Sequence, residues 1–158
     1  MAANGLMYTA ALEGVSVAAV PQNLWEVRAT GSIIIHSIRF AFLQQTVLLS
    51  AVPNMQLSWA RLASFGSGGV AVTPNPIDDR NTIPATTTFN SLVTSPGPIL
   101  YNGASPAVLG AYVQKWTASP FDLIAHPIQM SGGYLGISLL SAPPFVIPLS
   151  GEIVFEEL

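Results

Sequence analysis

The residues able to do chemistry are few. The chain holds two histidines, His36 and His126, with eight acidic and five basic residues and no cysteine. A cysteine nucleophile, a zinc-thiolate centre and a disulfide are therefore excluded. A metal site would need His36 and His126 to converge with Asp78, Asp79 or Asp122, and neither the H-x-H nor the H-E-x-x-H spacing occurs. Serines are plentiful, yet no G-x-S-x-G elbow marks one as a nucleophile, and the histidine pair of a cupin site is missing. His36 lies in the most apolar stretch, where a histidine is expected as a satisfied core or interface residue rather than a base or ligand. His126 precedes Pro127 and is expected in a loop. The expectation is a protein that is not an enzyme and carries neither metal nor cofactor. A hydrolase would show itself through activity lost on His36→Ala or His126→Ala in a chain that still folds.

One dense charge cluster remains, Asp78-Asp79-Arg80. It is either a solvated loop tip or an ionic contact that registers one subunit against its neighbour, since charge complementarity contributes specificity more than affinity. The cluster belongs to a segment, about 66–84, that divides the chain. Gly66-Ser67-Gly68-Gly69 runs into Val70-Ala71-Val72-Thr73 and then through Pro74, Pro76 and Pro84. Glycines open backbone angles closed to other residues and prolines remove amide donors, so nothing beyond a short edge strand is expected there. Ordered loops of this length tend to be functional. Pro74, Pro76, Asp78, Asp79 and Arg80 are the candidate interface residues.

The elements that must position this segment are strands. Residues Met7 to Ala19 alternate, with Glu13-Gly14 as a kink. Leu24 to Ala29 reads as a strand half in water, with Trp25 and Val27 on one face and Glu26 and Arg28 on the other. Thr30-Gly31-Ser32 separates it from Ile33 to Phe42, a β-branched and aromatic strand. One face of that strand carries Ile34, His36, Ile38, Phe40 and Phe42, the other Ile33, Ile35, Ser37, Arg39 and Ala41, and both are expected to be covered. Leu43 to Val52 reads as a loop or one helical turn. Met55 to Leu62 alternates with Met55, Leu57 and Trp59 inward. Strand composition is also read at 86–89 and 92–93, and further strands are expected at 99–101, 107–118, 121–124 and 127–130, with Asn102-Gly103 as a turn that closes a hairpin. Ser131-Gly132-Gly133 reads as a turn into Tyr134 to Leu140, and the chain closes with Ile153 and Phe155 facing in and the glutamates out. Trp25, Trp59, Trp116, Tyr101 and Tyr112 are assigned mostly to the core, with some available as interface anchors. About eight to ten strands without strand-helix alternation predict one all-β domain over residues 1–158, an antiparallel β-sandwich with long loops. Jelly-roll order suits the strand number and connections best.

Composition points to assembly. Charged residues are 8% of the chain, against about 25% in an ordinary soluble domain, and hydrophobic residues are 50%. A net charge of −3 built from so few charges provides little repulsion between molecules, so much of the surface is expected to be covered by other subunits. No apolar run approaches the roughly 18–20 residues of a membrane-spanning helix, and 13 prolines argue against a small membrane barrel. The start, Met1-Ala2-Ala3-Asn4-Gly5, lacks the basic region and apolar core of a signal peptide, so no export signal is expected. Arg28, Arg39, Arg61, Arg80 and Lys115 are scattered singly, and without a basic stripe no nucleic-acid partner is expected.

The whole chain resembles a group of small all-β proteins of tailed bacteriophages, taken for virion components. The resemblance is carried by Met7-Tyr8-Thr9-Ala10-Ala11-Leu12-Glu13-Gly14-Val15-Ser16-Val17, by Leu24-Trp25-Glu26-Val27, by Ile35-His36-Ser37-Ile38-Arg39, by Gly66-Ser67-Gly68-Gly69 with Val72-Thr73-Pro74-Asn75-Pro76, and by Ser150-Gly151-Glu152-Ile153-Val154-Phe155-Glu156-Glu157. Residues Thr86 to Pro120 diverge from the pattern. What the resemblance implies is a capsid decoration or cement protein, a jelly-roll oligomer, often a trimer at local three-fold positions, bound to the major capsid protein on the virion surface after synthesis in the host cytoplasm. The alternative is a receptor- or carbohydrate-binding β module of a fibre or tail.

Overall fold

The computed structural model describes residues 5–18, 20–42, 55–100, 111–113, 121–124, 126–140 and 146–158. Ten strands run through these residues: β1 (Leu6–Val17), β2 (Gln22–Phe42), β3 (Met55–Leu62), β4 (Val70–Val72), β5 (Asn75–Pro76), β6 (Thr88–Val93), β7 (Ala111–Val113), β8 (Phe121–Asp122), β9 (Ile128–Leu139) and β10 (Ile147–Glu157). Every pairing is antiparallel, and no helix occurs among the described residues. The all-β antiparallel expectation holds. Segments 43–54, 101–110 and 114–120 lie outside the described residues, and with them the expected loop or helical turn, the Asn102-Gly103 hairpin and most of the strand expected at 107–118.

β2 organises the rest. Along one edge its first half pairs with β6, from Asn23↔Val93 to Arg28↔Thr88, and its second half with β10, from Ile33↔Glu157 to Phe42↔Leu149. Along the other edge it pairs with β9 as far as Ile35↔Ile128 and then with β8. The sequence reading made two strands here, separated by Thr30-Gly31-Ser32. The structure has one strand of 21 residues, and the Thr-Gly-Ser stretch is where its partner changes. Likewise Ser131-Gly132-Gly133 is a bend inside β9, not a turn between strands: the register against β2 breaks between Ala29 and Ser32, so both strands bend together. The path β5-β1-β10-β2-β9-β3-β7 is thus one continuous sheet, with β6 and β4 running off the first half of β2.

The core lies where these two wings meet. Trp25 of β2 packs edge-on against Phe89 of β6 at 5.9 Å, Phe89 against Phe155 of β10 at 5.1 Å, and Phe155 stacks on Tyr8 of β1 at 5.5 Å. All four rings are buried. Burying a large apolar side chain contributes about 1.5–3 kcal/mol, and the Phe89–Phe155 step of this ring ladder joins β6 to β10, two strands with no pairing between them among the described residues. The described strands do not by themselves define a jelly-roll order.

Two bulges keep the core supplied. In β1, Tyr8, Ala10 and Leu12 point inward, the register against β10 shifts at Glu13-Gly14 with Gly14 at φ 57°, and Val17 then points inward from the opposite parity. In β2, Phe155 lies opposite Ile35 and Val154 opposite Ser37, leaving His36 as the extra residue. Ile33, Ile35, Ile38 and Phe40 are all buried as a result, whereas strict alternation had put Ile33 and Ile35 on the face opposite Ile38 and Phe40. The described part of the strand therefore has a covered face and an outer face carrying exposed His36 and Arg39, rather than two covered faces.

Candidate functional site

The Gly66–Pro84 segment is held at its root by a buried carboxylate. Beyond β3, residues 61–67 run beside residues 95–100: Ala63 N–H donates to the Pro98 carbonyl at 2.8 Å, Leu100 N–H to the Arg61 carbonyl at 2.9 Å, and Ser67 and Ser95 exchange amide hydrogen bonds at 2.9 and 3.1 Å. This ribbon lies over the outer face of β2 and β9, with Phe65 edge-on to Tyr134 at 5.2 Å. Beneath it Glu26 is fully buried. Its carboxylate accepts the Gly66 N–H at 2.7 Å, the Gly97 N–H at 2.8 Å and the Asn23 Nδ2 amide at 2.7 Å, and Asn23 Oδ1 in turn accepts from the Ser138 hydroxyl at 2.6 Å. A Cβ at Gly66 would collide with the Ser95 carbonyl and one at Gly97 with the Ser64 carbonyl, so glycine is required at both donors. The sequence reading set Glu26 in water beside Arg28. Arg28 is exposed as expected, but the ribbon covers Glu26, and alternation within β2 carries no information about a loop laid over it.

From this root the chain crosses the fold. β4 pairs with β6, and Ser91 Oγ donates to the Val70 carbonyl at 3.1 Å. β5 then pairs with β1 at Tyr8↔Pro76 and Thr9↔Asn75, and the Ile77 N–H donates to the Met7 carbonyl at 3.0 Å. On the far side Tyr8 Oη donates to the Ile83 carbonyl at 3.0 Å, and the Thr86 and Thr87 amides donate to the Glu157 carboxylate at 2.9 and 2.7 Å. Partial burial of Glu157 raises its pKa, but the donors of Thr87 and Thr86 outweigh this and leave it below the usual glutamate range. The segment is a strap, tied at Glu26, at β6, along β1 and at the last residues of β10.

The strap tip is a compact turn. Asn81 N–H donates to the Asp78 carbonyl at 2.9 Å, Arg80 N–H to Asp78 Oδ1 at 3.0 Å, and Ile83 N–H to Asn81 Oδ1 at 3.0 Å, two side-chain-closed turns in succession. The Arg80 guanidinium grips both Asp78 oxygens, Nε at 3.0 Å and Nη2 at 2.8 Å, which holds Asp78 below and Arg80 above their ordinary pKa values. The predicted charge cluster is thus internally neutralised except for Asp79, which is exposed. Pro74 and Pro76 are half-buried, with Pro76 spent on the β5 pairing. Along the strap Val70 in β4 stands 63% exposed, and Ile77 and Ile83 on either side of the tip stand 53% and 57% exposed.

The remaining predicted chemistry does not converge. His36 is an exposed bulge residue whose Nε2 lies 3.1 Å from Glu156, which corrects its assignment to a covered strand, and His126 is exposed. Among the described residues no cluster of three or more histidine, aspartate or glutamate side chains could hold a metal ion. Trp25 is buried and Trp59 half-buried, while Tyr101 and Trp116 and the side chain of Tyr112 lie outside the description.

Arg61 is the residue the sequence reading passed over as one isolated base. It stands opposite Leu135 of β9, continuing the inward series of Leu57 and Trp59, and that parity was the available signal. Its guanidinium is half-buried, donates from Nη2 to the Gln129 carbonyl at 2.7 Å, and has its pKa lowered by burial. Beside it opens a cleft of about 260 Å³ lined by Leu62, Leu100, Ser131, Gly132, Gly133 and Tyr134. Comparison of the chain with protein-family models, with curated proteins and with solved structures returned no match in any of the three.

Proposed function

We propose that the protein is a structural component of a virion, a decoration or cement protein that binds the major capsid protein of a tailed phage as a homo-oligomer and stabilises the head. The observation that carries this reading is the strap. A segment tied down at four places presents exposed Val70, Ile77 and Ile83 along its length, the last two on either side of a turn in which Arg80 neutralises Asp78. Exposed β-branched residues on a rigid support lose little entropy when covered, which is what a contact surface requires. The low charge content supports the same reading, because a chain with 8% charged residues has little to oppose close packing of copies on a shell. Its action is mechanical: many modest contacts repeated over a lattice reinforce one another and spread load across capsomer boundaries.

Phage heads assembled without this protein provide the test. The purified chain is expected to pellet with them and to raise their resistance to heat or osmotic shock, while I77S/I83S, which leaves the strap's hydrogen bonds intact, binds at least about tenfold more weakly. A chain that shows no association with such heads overturns the proposal. Cryo-electron microscopy of intact particles would then place the protein elsewhere, for instance at a fibre or tail tip.

A further inference from the structure

Among the described residues two arginines have carboxylate partners, Arg39 with Asp122 at 3.3 Å and Arg80 with Asp78 at 2.8 Å. Arg61 has none, although it is the one half-buried against the inner face of a sheet. Among the described residues its one hydrogen bond is to the Gln129 carbonyl, which uses a single donor of a five-donor fork, and a partly dehydrated guanidinium gains more than an exposed one from a bidentate carboxylate. The adjoining cleft, about 260 Å³, has room for a short acidic side chain, and Gly132 and Gly133 add no side chains to its wall. Ile99 and Leu100 beside it are 43% and 48% exposed.

The strap tip has the complementary character. Asp79 is its one carboxylate not gripped by Arg80, and exposed Ile77 and Ile83 flank it. The tip rides on β1 and Arg61 on β3, and β10, β2 and β9 lie between those strands along the sheet. No ion pair joins Asp79 and Arg61 within the chain among the described residues.

We infer that Asp79 of one copy docks on Arg61 of a second copy, with Ile77 and Ile83 of the strap tip packing against Ile99 and Leu100 beside the cleft. The contact joins two different surfaces, so it is head-to-tail, and closure of such contacts produces a cyclic oligomer. The apolar rim excludes water from the ion pair and the pair sets the register. This deepens the proposed function by naming the self-contact of the strap, and it rests on the reading that the protein acts as an oligomer.

The test is a charge exchange followed by sedimentation velocity. Wild-type protein is expected to associate, R61E and D79R each to weaken association by at least about tenfold, and the R61E/D79R protein to recover most of that loss. D79R lies on an exposed turn and leaves folding intact, so its result stands even if R61E destabilises the chain; R61Q, which removes the charge with little change in bulk, supports the inference if it weakens association as D79R does. Undiminished association of D79R, or a double variant no better than the weaker single, overturns the contact. A monomeric wild-type chain overturns it as well. Binding to heads lacking the protein is measured in parallel: single variants that lose self-association but retain head binding support the contact, whereas a monomeric wild type that still binds heads removes the contact and leaves capsid binding standing.

Discussion

The carboxylate of Glu26, buried in the longest strand, accepts the backbone N–H of Gly66 in the ribbon above it at 2.7 Å. The strap that carries the candidate interface is rooted on that bond and on its twin from Gly97 at 2.8 Å.

Removing the carboxylate leaves the buried Asn23 and Gly97 donors and the half-buried Gly66 N–H without an acceptor. Glu26→Ala is expected to cost about 3–5 kcal/mol, and Glu26→Gln, which keeps one acceptor oxygen but turns an amide toward another donor, about 1–3 kcal/mol. Urea denaturation followed by tryptophan fluorescence measures both; equal stability of Glu26→Gln and wild type would show that the charge is not needed.

The donors are as constrained as the acceptor. Gly66→Ala and Gly97→Ala each force a methyl group against a carbonyl oxygen of the facing chain and are expected to cost about 1–3 kcal/mol. Hydrogen exchange should accelerate first at Ser67 and Ser95, whose paired amides hold the ribbon together.

Phe155 touches both Tyr8 and Phe89, and so bridges β1 to β6 across the core. Phe155→Ala is expected to lose about 3–5 kcal/mol, the usual range for deleting a buried ring. A thermal melt read by circular dichroism suffices, and a loss near 1 kcal/mol would mean that the wings close without the ladder.

Stability should fall in acid through Glu157. Its folded pKa lies below the ordinary glutamate value of 4.5, so its contribution is fully present above that value and is lost as pH falls through the lowered one. Melting temperature measured from pH 6 downward is expected to drop less steeply below about pH 4.5 in Glu157→Gln than in wild type. Parallel profiles for the two proteins would place the acid sensitivity at another carboxylate.

Much of the architecture was legible in local pattern. Alternation of β-branched and aromatic residues marked β1, β3, β10 and the two stretches of β2, and Ile153 and Phe155 faced inward as read, because side-chain direction in a strand depends on the nearest neighbours alone. The Glu13-Gly14 irregularity was also readable, since a glycine at positive φ is a local event. The tertiary structure decided the rest. Whether Thr30-Gly31-Ser32 ends a strand or bends one depends on β9 bending beside it at Gly132-Gly133, and the change of parity at His36 depends on β10. Glu26 reads as a wet residue until the ribbon from residues 61–67 and 95–100 is laid across it, and Arg61 reads as an isolated base until its strand is set against Leu135. Periodicity reports which way a side chain points; what covers it is set by backbone brought from forty or more residues away, and that is a property of the folded chain.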